Sequence, residues 1–340
     1  MKLVYHAVLG EGSTSLQRLA AFGALPDLEV IAHDTMARMG VDATFYRRVR
    51  WKLGWPTDDY RENQRLIDCV ATHQADIVFV DNSKVISSAT LRRLRKQGVS
   101  KLVYYSPDDT MNRYNLKWPL RLSIPLWDVF FTTKTFNIDE LRAHGARNPY
   151  LIGKAFDAQL HRPLSREEVG RDFEKFDFVF AGAWERERMT SLNALCEAGF
   201  SVVCYGGSLG NWNKKEIHPG IVGRPAAFGE AYTHAMHHGK IALGFLRKIN
   251  RDKITQRSME VTAMGRAMLA EKTDEHDSHF IDGEEYCGFL SDSEMVAKGA
   301  ALLADDAARL EMGRRARERC LTSGYSSIDR AREMLAVICG

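Results

Sequence analysis

This 340-residue sequence predicts an α/β protein of two doubly wound domains. Short β-rich runs alternate with amphipathic helical stretches, the pattern of parallel sheets covered by helices. The alternation breaks off near residues 154–164 and then starts again. At roughly 150 residues per domain, the length allows about two independent cores.

In the first half, strands are expected over 2–9, 29–33, 76–80, 101–105, 129–132 and 150–152, with helices over 15–23, 59–73 and 89–97. Ile86, Leu91 and Leu94 sit at helical spacing while Arg92, Arg93, Arg95 and Lys96 face water. The second half reads as strands over 176–181, 201–205, 240–245, 267–271 and 286–290. Gly206-Gly207 closes the run over 201–205, and a charged loop after Gly182 leads to a helix over 190–198. Further helices are expected over 257–264, 294–303, 307–321 and 328–337. In such sheets ligands lie beyond the carboxyl ends of the strands, so the loops there hold the candidate sites.

Forty-seven Lys and Arg against 44 Asp and Glu give a net charge of +3, too balanced for a protein that lives on nucleic-acid phosphates. No run approaches the ~18 apolar residues of a membrane span, and the N-terminus lacks a basic-then-apolar signal. The six scattered cysteines form no CxxC, which fits reduced thiols in the cytoplasm.

Three loops carry the chemistry. Gly10-Glu-Gly12-Ser13-Thr14 follows the first strand: its glycines allow a tight turn, and Ser13 or Thr14 can cap the next helix. Free amides there would face an anion or a hydroxyl, although a plain structural turn has the same composition. Gly182-Ala-Trp-Glu-Arg-Glu-Arg188 offers Arg186 and Arg188 to a diphosphate, or forms a solvated surface turn. The segment 246–260 is dense in cations directly after a buried strand and ends in Glu260, eight positions beyond Asp252. An acid at a helix mouth can answer the dipole or accept two hydrogen bonds from a ribose diol.

Asp252-x7-Glu260, Met264-Gly265, Glu271-Lys-Thr-Asp-Glu-His276 and Phe280-Ile-Asp-Gly-Glu-Glu285 resemble the CgeB-like (spore-maturation-type) glycosyltransferases, relatives of the family 4 GT-B enzymes. Phe180-Ala-Gly182 with Arg188 and Tyr205-Gly206 extend the likeness. Asp76-Ile-Val-Phe-Val-Asp81, Tyr105-Ser-Pro-Asp-Asp109 and Thr132-Thr-Lys-Thr-Phe-Asn137 carry it into the first half. The resemblance implies a GT-B fold, two Rossmann-like domains facing each other across a cleft. Residues 1–155 would form the acceptor-side domain, 156–324 the sugar-nucleotide domain, and the last helix, within 325–340, would pack back on the first.

Carried over by position, Glu260 matches the acid that holds the nucleotide ribose. Asp252 stands where the family pattern has its first Glu, near the transferred sugar and one methylene shorter. Arg188 and Lys248 fall where cations hold the diphosphate. Gly182, Arg186, Asn250, Arg257, Thr273, Glu275 and His276 complete the implied donor site. Gly10, Gly12, Ser13, Thr14, Asp108 and Asp109 line the implied acceptor side. The resemblance implies a retaining, metal-independent transferase with a UDP- or GDP-linked donor, no cofactor, and a glycan or lipid-linked acceptor, in surface or secreted glycan synthesis. A non-catalytic nucleotide- or glycan-binding partner protein and a sugar-nucleotide epimerase or hydrolase are the rival readings.

Asp108-Asp109 either orients an acceptor hydroxyl or caps the turn after Pro107. His234, His237 and His238 have metal-compatible spacing, but without an acidic or cysteine partner nearby they read as a solvated helix face. His276 is expected to offer its backbone to the nucleotide rather than its imidazole to catalysis. Residues 45–55 hold four cations, four aromatics and no acid, and 112–127 add Arg113, Lys117, Trp118, Arg121 and Trp127. These stretches suit an anionic membrane surface or a lipid-linked acceptor, the alternative being loops whose tryptophans are core. Nucleic acid is not expected as a partner.

Overall fold

A computed structural model describes residues 1–35, 44–206 and 216–340, so Gly207 lies outside the described residues. The chain forms two compact units: 1–153 with 248–252 and 327–340, and 154–247 with 253–326. Each is built on a six-stranded parallel sheet.

The first sheet comprises β1 (Lys2–Ala7), β2 (Glu29–Asp34), β3 (Ile77–Asp81), β4 (Lys101–Ser106), β5 (Val129–Thr132) and β6 (Pro149–Leu151), in the order β2-β1-β3-β4-β5-β6. Every residue of β3 is buried, as a central parallel strand covered on both faces requires. One face of the sheet packs against the helices Glu62–His73 and Ser88–Lys96 through Leu66, Val70, Leu91 and Leu94, with Trp127 in the same core. The other face collects Phe22, Phe79 and Phe131 together with Ala331, Met334 and Ile338 of the last helix, Ser327–Cys339. That helix is thus part of the first unit although it ends the chain.

The second sheet comprises β7 (Phe176–Ala181), β8 (Val202–Tyr205), β9 (Ile221–Arg224), β10 (Gly239–Gly244), β11 (Ala267–Glu271) and β12 (Cys287–Phe289). Its order is β12-β11-β10-β7-β8-β9, a Rossmann arrangement that reverses direction between β7 and β10. Strand β9 has no counterpart among the expected strands: Ile-Val-Gly-Arg is a short, half-buried edge with only two apolar residues. Phe178, Phe180, Leu192, Leu195 and Met295 fill one side, and Val179, Val203, Met259 and Met268 the other. Gly313, within the helix Asp306–Thr322, allows a close crossing over the end of the helix Gln256–Ala263. A Cβ there would lie 2.2 Å from the Gly265 carbonyl oxygen, a backbone clash that no rotamer relieves.

Two boundaries differ from expectation in ways that matter for the site. The helix after Gly182 runs Arg186–Glu197, so Arg188 stands in its first turn rather than in a loop. Arg-Glu-Arg has good helix propensity and no breaker, and only the absence of apolar residues concealed the start. The cation-rich stretch after β10 is divided, with Arg247 in the second unit and Lys248–Asp252 in the first.

Candidate functional site

In the second unit the reversal of strand order puts the loops after β7 and β10 side by side, the position at which such sheets bind ligands. Gly182 ends β7 and donates its amide to the Tyr205 carbonyl at 2.7 Å. A Cβ on Gly182 would meet the Phe180 ring at 2.7 Å and Arg257 Nη2 at 3.2 Å, so glycine lets the backbone run against that guanidinium. Arg257, on the helix Gln256–Ala263, lies over the Phe180 ring at 5.3 Å, and Arg188 lies over the same ring at 5.7 Å.

These cations are under-compensated. Glu185 lies 3.7 Å from Arg188 and 3.1 Å from Arg247, one carboxylate shared by two guanidiniums. Arg257 has no acid within ion-pair distance among the described residues. Among the described residues the buried Nε atoms of both Arg188 and Arg257 have no hydrogen-bond partner. Burial pulls the Arg188 pKa below its ordinary value, and the charges of Arg257 and Arg247 pull the same way against Glu185. Arg188 Nη1 donates to the Ala183 carbonyl at 3.1 Å, and the remaining buried Nε donors with one carboxylate for several cations fit an anion with several acceptor oxygens.

Glu260 projects from the helix that carries Arg257 and is 9% exposed. His161 Nε2 lies 3.8 Å from its carboxylate. The buried Tyr232 hydroxyl lies beside Glu260 and Arg257 without a hydrogen bond of good geometry, and burial raises its pKa well above the ordinary value. His161 and Tyr232 are thus the polar neighbours of the Glu260 carboxylate among the described residues. Arg186, exposed, opens the helix Arg186–Glu197.

Thr273 caps the helix Asp274–His279 by accepting from the His276 amide at 3.0 Å, and its hydroxyl donates to the Lys253 carbonyl at 2.5 Å. Glu275 is half-buried in the first turn of that helix. His276 is fully buried, its imidazole between Ser258 Oγ at 2.8 Å and the Glu271 carbonyl at 2.9 Å. With its amide bonded to Thr273, His276 braces the helix that carries Glu260 and offers a nucleotide neither group. The pKa of its ring is pushed down by burial to about 4.

His237 is likewise buried, between the Thr233 carbonyl at 2.7 Å and the Leu164 amide at 3.0 Å, with a pKa lowered by burial to about 4. His238 meets the Tyr205 hydroxyl at 2.5 Å. The solvated face expected for His234, His237 and His238 is therefore corrected: the chain turns two of the three inward, onto backbone and tyrosine. Among the described residues no group of His, Cys, Asp and Glu could hold a metal ion.

Both buried rings stay neutral when folded and ionise near 6.5 when unfolded. Their stabilisation is complete above pH 6.5 and is lost as pH falls toward 4, because the unfolded chain takes up protons first. The unfolding free energy from urea titrations is expected to fall over that window, by on the order of 3 kcal/mol for each ring. A His276→Gln variant with an equally steep pH dependence would contradict this.

In the first unit the turn after β1 is built as expected, with Gly12 at φ 77° and Ser13 capping the helix Thr14–Gly23. The Ser13 amide donates to the Gly10 carbonyl at 3.1 Å. Thr14 accepts from Arg18, which also pairs with the buried Asp81 at 2.8 Å. Asp109 is buried and receives Arg251 through two bonds of 2.6 and 2.8 Å and Asn137 at 3.0 Å. Asp109 is held below the usual carboxylate range: desolvation pushes its pKa up, but the bonds from Arg251 and Asn137 prevail. Asp108 accepts from Asn250 at 3.2 Å, and Asn250 in turn accepts from the Asp109 amide at 2.8 Å.

Lys248 is exposed in the short turn Lys248–Asn250. Asp252 accepts from Asn250 at 2.8 Å and is paired with the buried Lys134. Lys248, Asn250 and Asp252 therefore belong to the first unit, where Asn250 and Asp252 make their side-chain contacts. Sequence reasoning missed Lys134, Asn137, Arg251 and Tyr232 as site residues. The first two stood in the quoted Thr132–Asn137 stretch and Arg251 in the cation-rich segment 246–260, while nothing local marked Tyr232. Asp252→Ala strands the Lys134 ammonium and is expected to destabilise the first unit by about 3 kcal/mol, read as a lower thermal midpoint. An unchanged midpoint would mean that the pair is not formed in solution.

Two Rossmann-like parallel units in one chain are the architecture of GT-B glycosyltransferases, and solved structures match it over nearly their whole length. Sucrose-phosphate synthase from Thermosynechococcus elongatus aligns with a TM-score of 0.68 and 11% identity, over 99% of this chain and 98% of its own. Anabaena HepE, in complex with UDP and glucose, gives 0.69 and 10% over 100% and 99%. S. aureus MnaA, in complex with UDP, gives 0.59 and 11% over 98% and 95%. No curated protein sequence matches. Residues 167–336, half the chain, match the family described as Glycosyl transferase-like. The chain belongs to that family.

Proposed function

We propose that this protein transfers a sugar from a nucleoside-diphosphate donor to an acceptor hydroxyl, and that the second unit holds the donor. The observation that carries this reading is the pair Arg188 and Arg257, two guanidiniums over one phenylalanine ring whose buried Nε donors have no partner among the described residues. A diphosphate supplies the missing oxygens. Glu260, on the same helix as Arg257, accepts the ribose diol. UDP is the favoured nucleotide, because HepE and MnaA of the same fold bind it.

As the bond from C1 to the diphosphate breaks, negative charge grows on the leaving oxygen. Cations fixed there stabilise that charge more than the ground state, with no rearrangement needed at the moment of reaction. On this reading the guanidiniums do the work that a divalent ion does elsewhere, and transfer is metal-independent. Retention of anomeric configuration follows the family 4 resemblance. The acceptor, a glycan or lipid-linked sugar in surface or secreted glycan synthesis, belongs with the first unit's loops around Gly12, Ser13 and Asp108. The protein works in the cytoplasm.

The test is a panel of UDP- and GDP-sugars with and without glycan acceptors, scored for released nucleoside diphosphate. Acceptor-dependent release is the expected result. Release without acceptor would make the protein a hydrolase, and binding without release a non-catalytic partner.

A further inference from the structure

The helix Phe45–Lys52 buries none of its residues. Phe45 is 79% exposed and Leu53, just past the helix, 67%. An apolar side chain so placed contributes nothing to the core. This helix is also not isolated. The Trp55 ring stacks on Trp118 at 5.7 Å, and the Trp118 amide donates to the Gly54 carbonyl at 2.8 Å. Lys117 donates to the Trp51 carbonyl at 3.0 Å, with its ammonium 4.8 Å from the Trp51 ring. The helices Phe45–Lys52 and Trp118–Ser123 therefore share one face, where rings and aliphatic tips alternate with cations.

The charge on this face is predominantly positive, Asp59 answering only Arg47, at 3.2 Å, among the described residues. Residues 44–55 contain four cations and no acid, and Arg121 lies over the Trp118 ring at 5.3 Å. Among the described residues Arg48 and Lys52 pair with no acid. Trp127, by contrast, is core, so the expectation that these tryptophans are simply buried holds for Trp127 and not for Trp51, Trp55 or Trp118.

We propose that this face docks on an anionic lipid bilayer. Cations attract the headgroup charge, tryptophans suit the headgroup layer, and Phe45, Leu53 and Leu122 reach into the acyl boundary. Nucleic acid fits less well: Trp55 and Trp118 occupy one another's ring faces, and exposed leucine tips gain nothing from a phosphate backbone. Among the described residues no helix is long and apolar enough to cross a membrane, so the contact is peripheral. The proposal goes beyond sugar transfer and stands or falls without it.

Flotation of the full chain with vesicles tests it. At low salt the protein is expected to float with phosphatidylcholine–phosphatidylglycerol vesicles and not with phosphatidylcholine alone. Arg48→Glu with Lys52→Glu should lower partitioning on the order of a hundredfold. Phe45→Ser with Leu53→Ser, which leaves the charge unchanged, should lower it about tenfold. Neither pair touches the core, and a thermal midpoint equal to that of wild type in both variants checks that the chain is folded. No flotation with anionic vesicles, or flotation unchanged in both variants, would overturn the proposal. Retention on a single-stranded oligonucleotide in place of vesicles would overturn it as well.

Discussion

Replacing Arg188 with alanine is expected to reduce kcat/KM for sugar transfer by about 10²–10³, roughly 3 kcal/mol of barrier. The charge developing on the diphosphate would lose one of its two nearest cations. The same variant should not lose stability in proportion to the buried volume removed. Arg188 is desolvated, shares its carboxylate with Arg247 and lies beside Arg257, so removing it relieves a repulsion that persists without ligand. Thermal midpoints without nucleotide should stay level or rise, while the increase in midpoint on adding UDP should shrink. Arg188→Lys is expected to recover little, because a point charge cannot reproduce the planar fork. A variant that keeps full activity would remove Arg188 from the site, and one that unfolds would show that Arg188 is structural.

Glu260→Ala carries the second large effect, and it falls on binding. Two charge-assisted hydrogen bonds to a ribose diol are worth about 2 kcal/mol or more together, so the Kd for UDP should rise at least about thirtyfold. The fold should survive, because His161 at 3.8 Å and the unbonded Tyr232 hydroxyl are the neighbours of Glu260, and neither depends on a short bond to it. The deoxyribose form of the nucleotide supplies a control. It should bind wild type more weakly than UDP and lose only about half as much binding free energy in the variant, because its 3′-hydroxyl alone still reaches Glu260. Calorimetry showing equal UDP affinity for both proteins would remove Glu260 from the site.

What the sequence shows of this protein depends on how local each determinant is. Strands such as Phe176–Ala181 and Ile77–Asp81 are legible because burial on both faces demands an unbroken apolar run. Ile221–Arg224 is not, because an edge strand needs only one covered face and so little apolar content. Arg188 and Glu260 could be picked out in sequence, one after a buried strand and one at spacing eight from Asp252.

The partners of these residues could not. Lys134 meets Asp252 across 118 positions, and Arg251 meets Asp109 across 142. Such pairs exist only once two distant loops converge, and a lysine in a strand-following loop looks the same whether buried or solvated. The histidines show the reverse failure. Spacing put His234, His237 and His238 on one helix, but whether a ring is buried depends on what the neighbouring loop offers it. Here that is the Leu164 amide, 73 positions away.

Donor binding as proposed requires a diphosphate at the arginine pair of the second unit. Calorimetric titration of the full chain with UDP, GDP and the corresponding nucleosides addresses this directly. At least one nucleoside diphosphate is predicted to bind about a hundredfold more tightly than its nucleoside, and that difference should largely vanish in Arg188→Ala. Equal affinity for nucleoside and diphosphate, or no binding of either nucleotide, would contradict it.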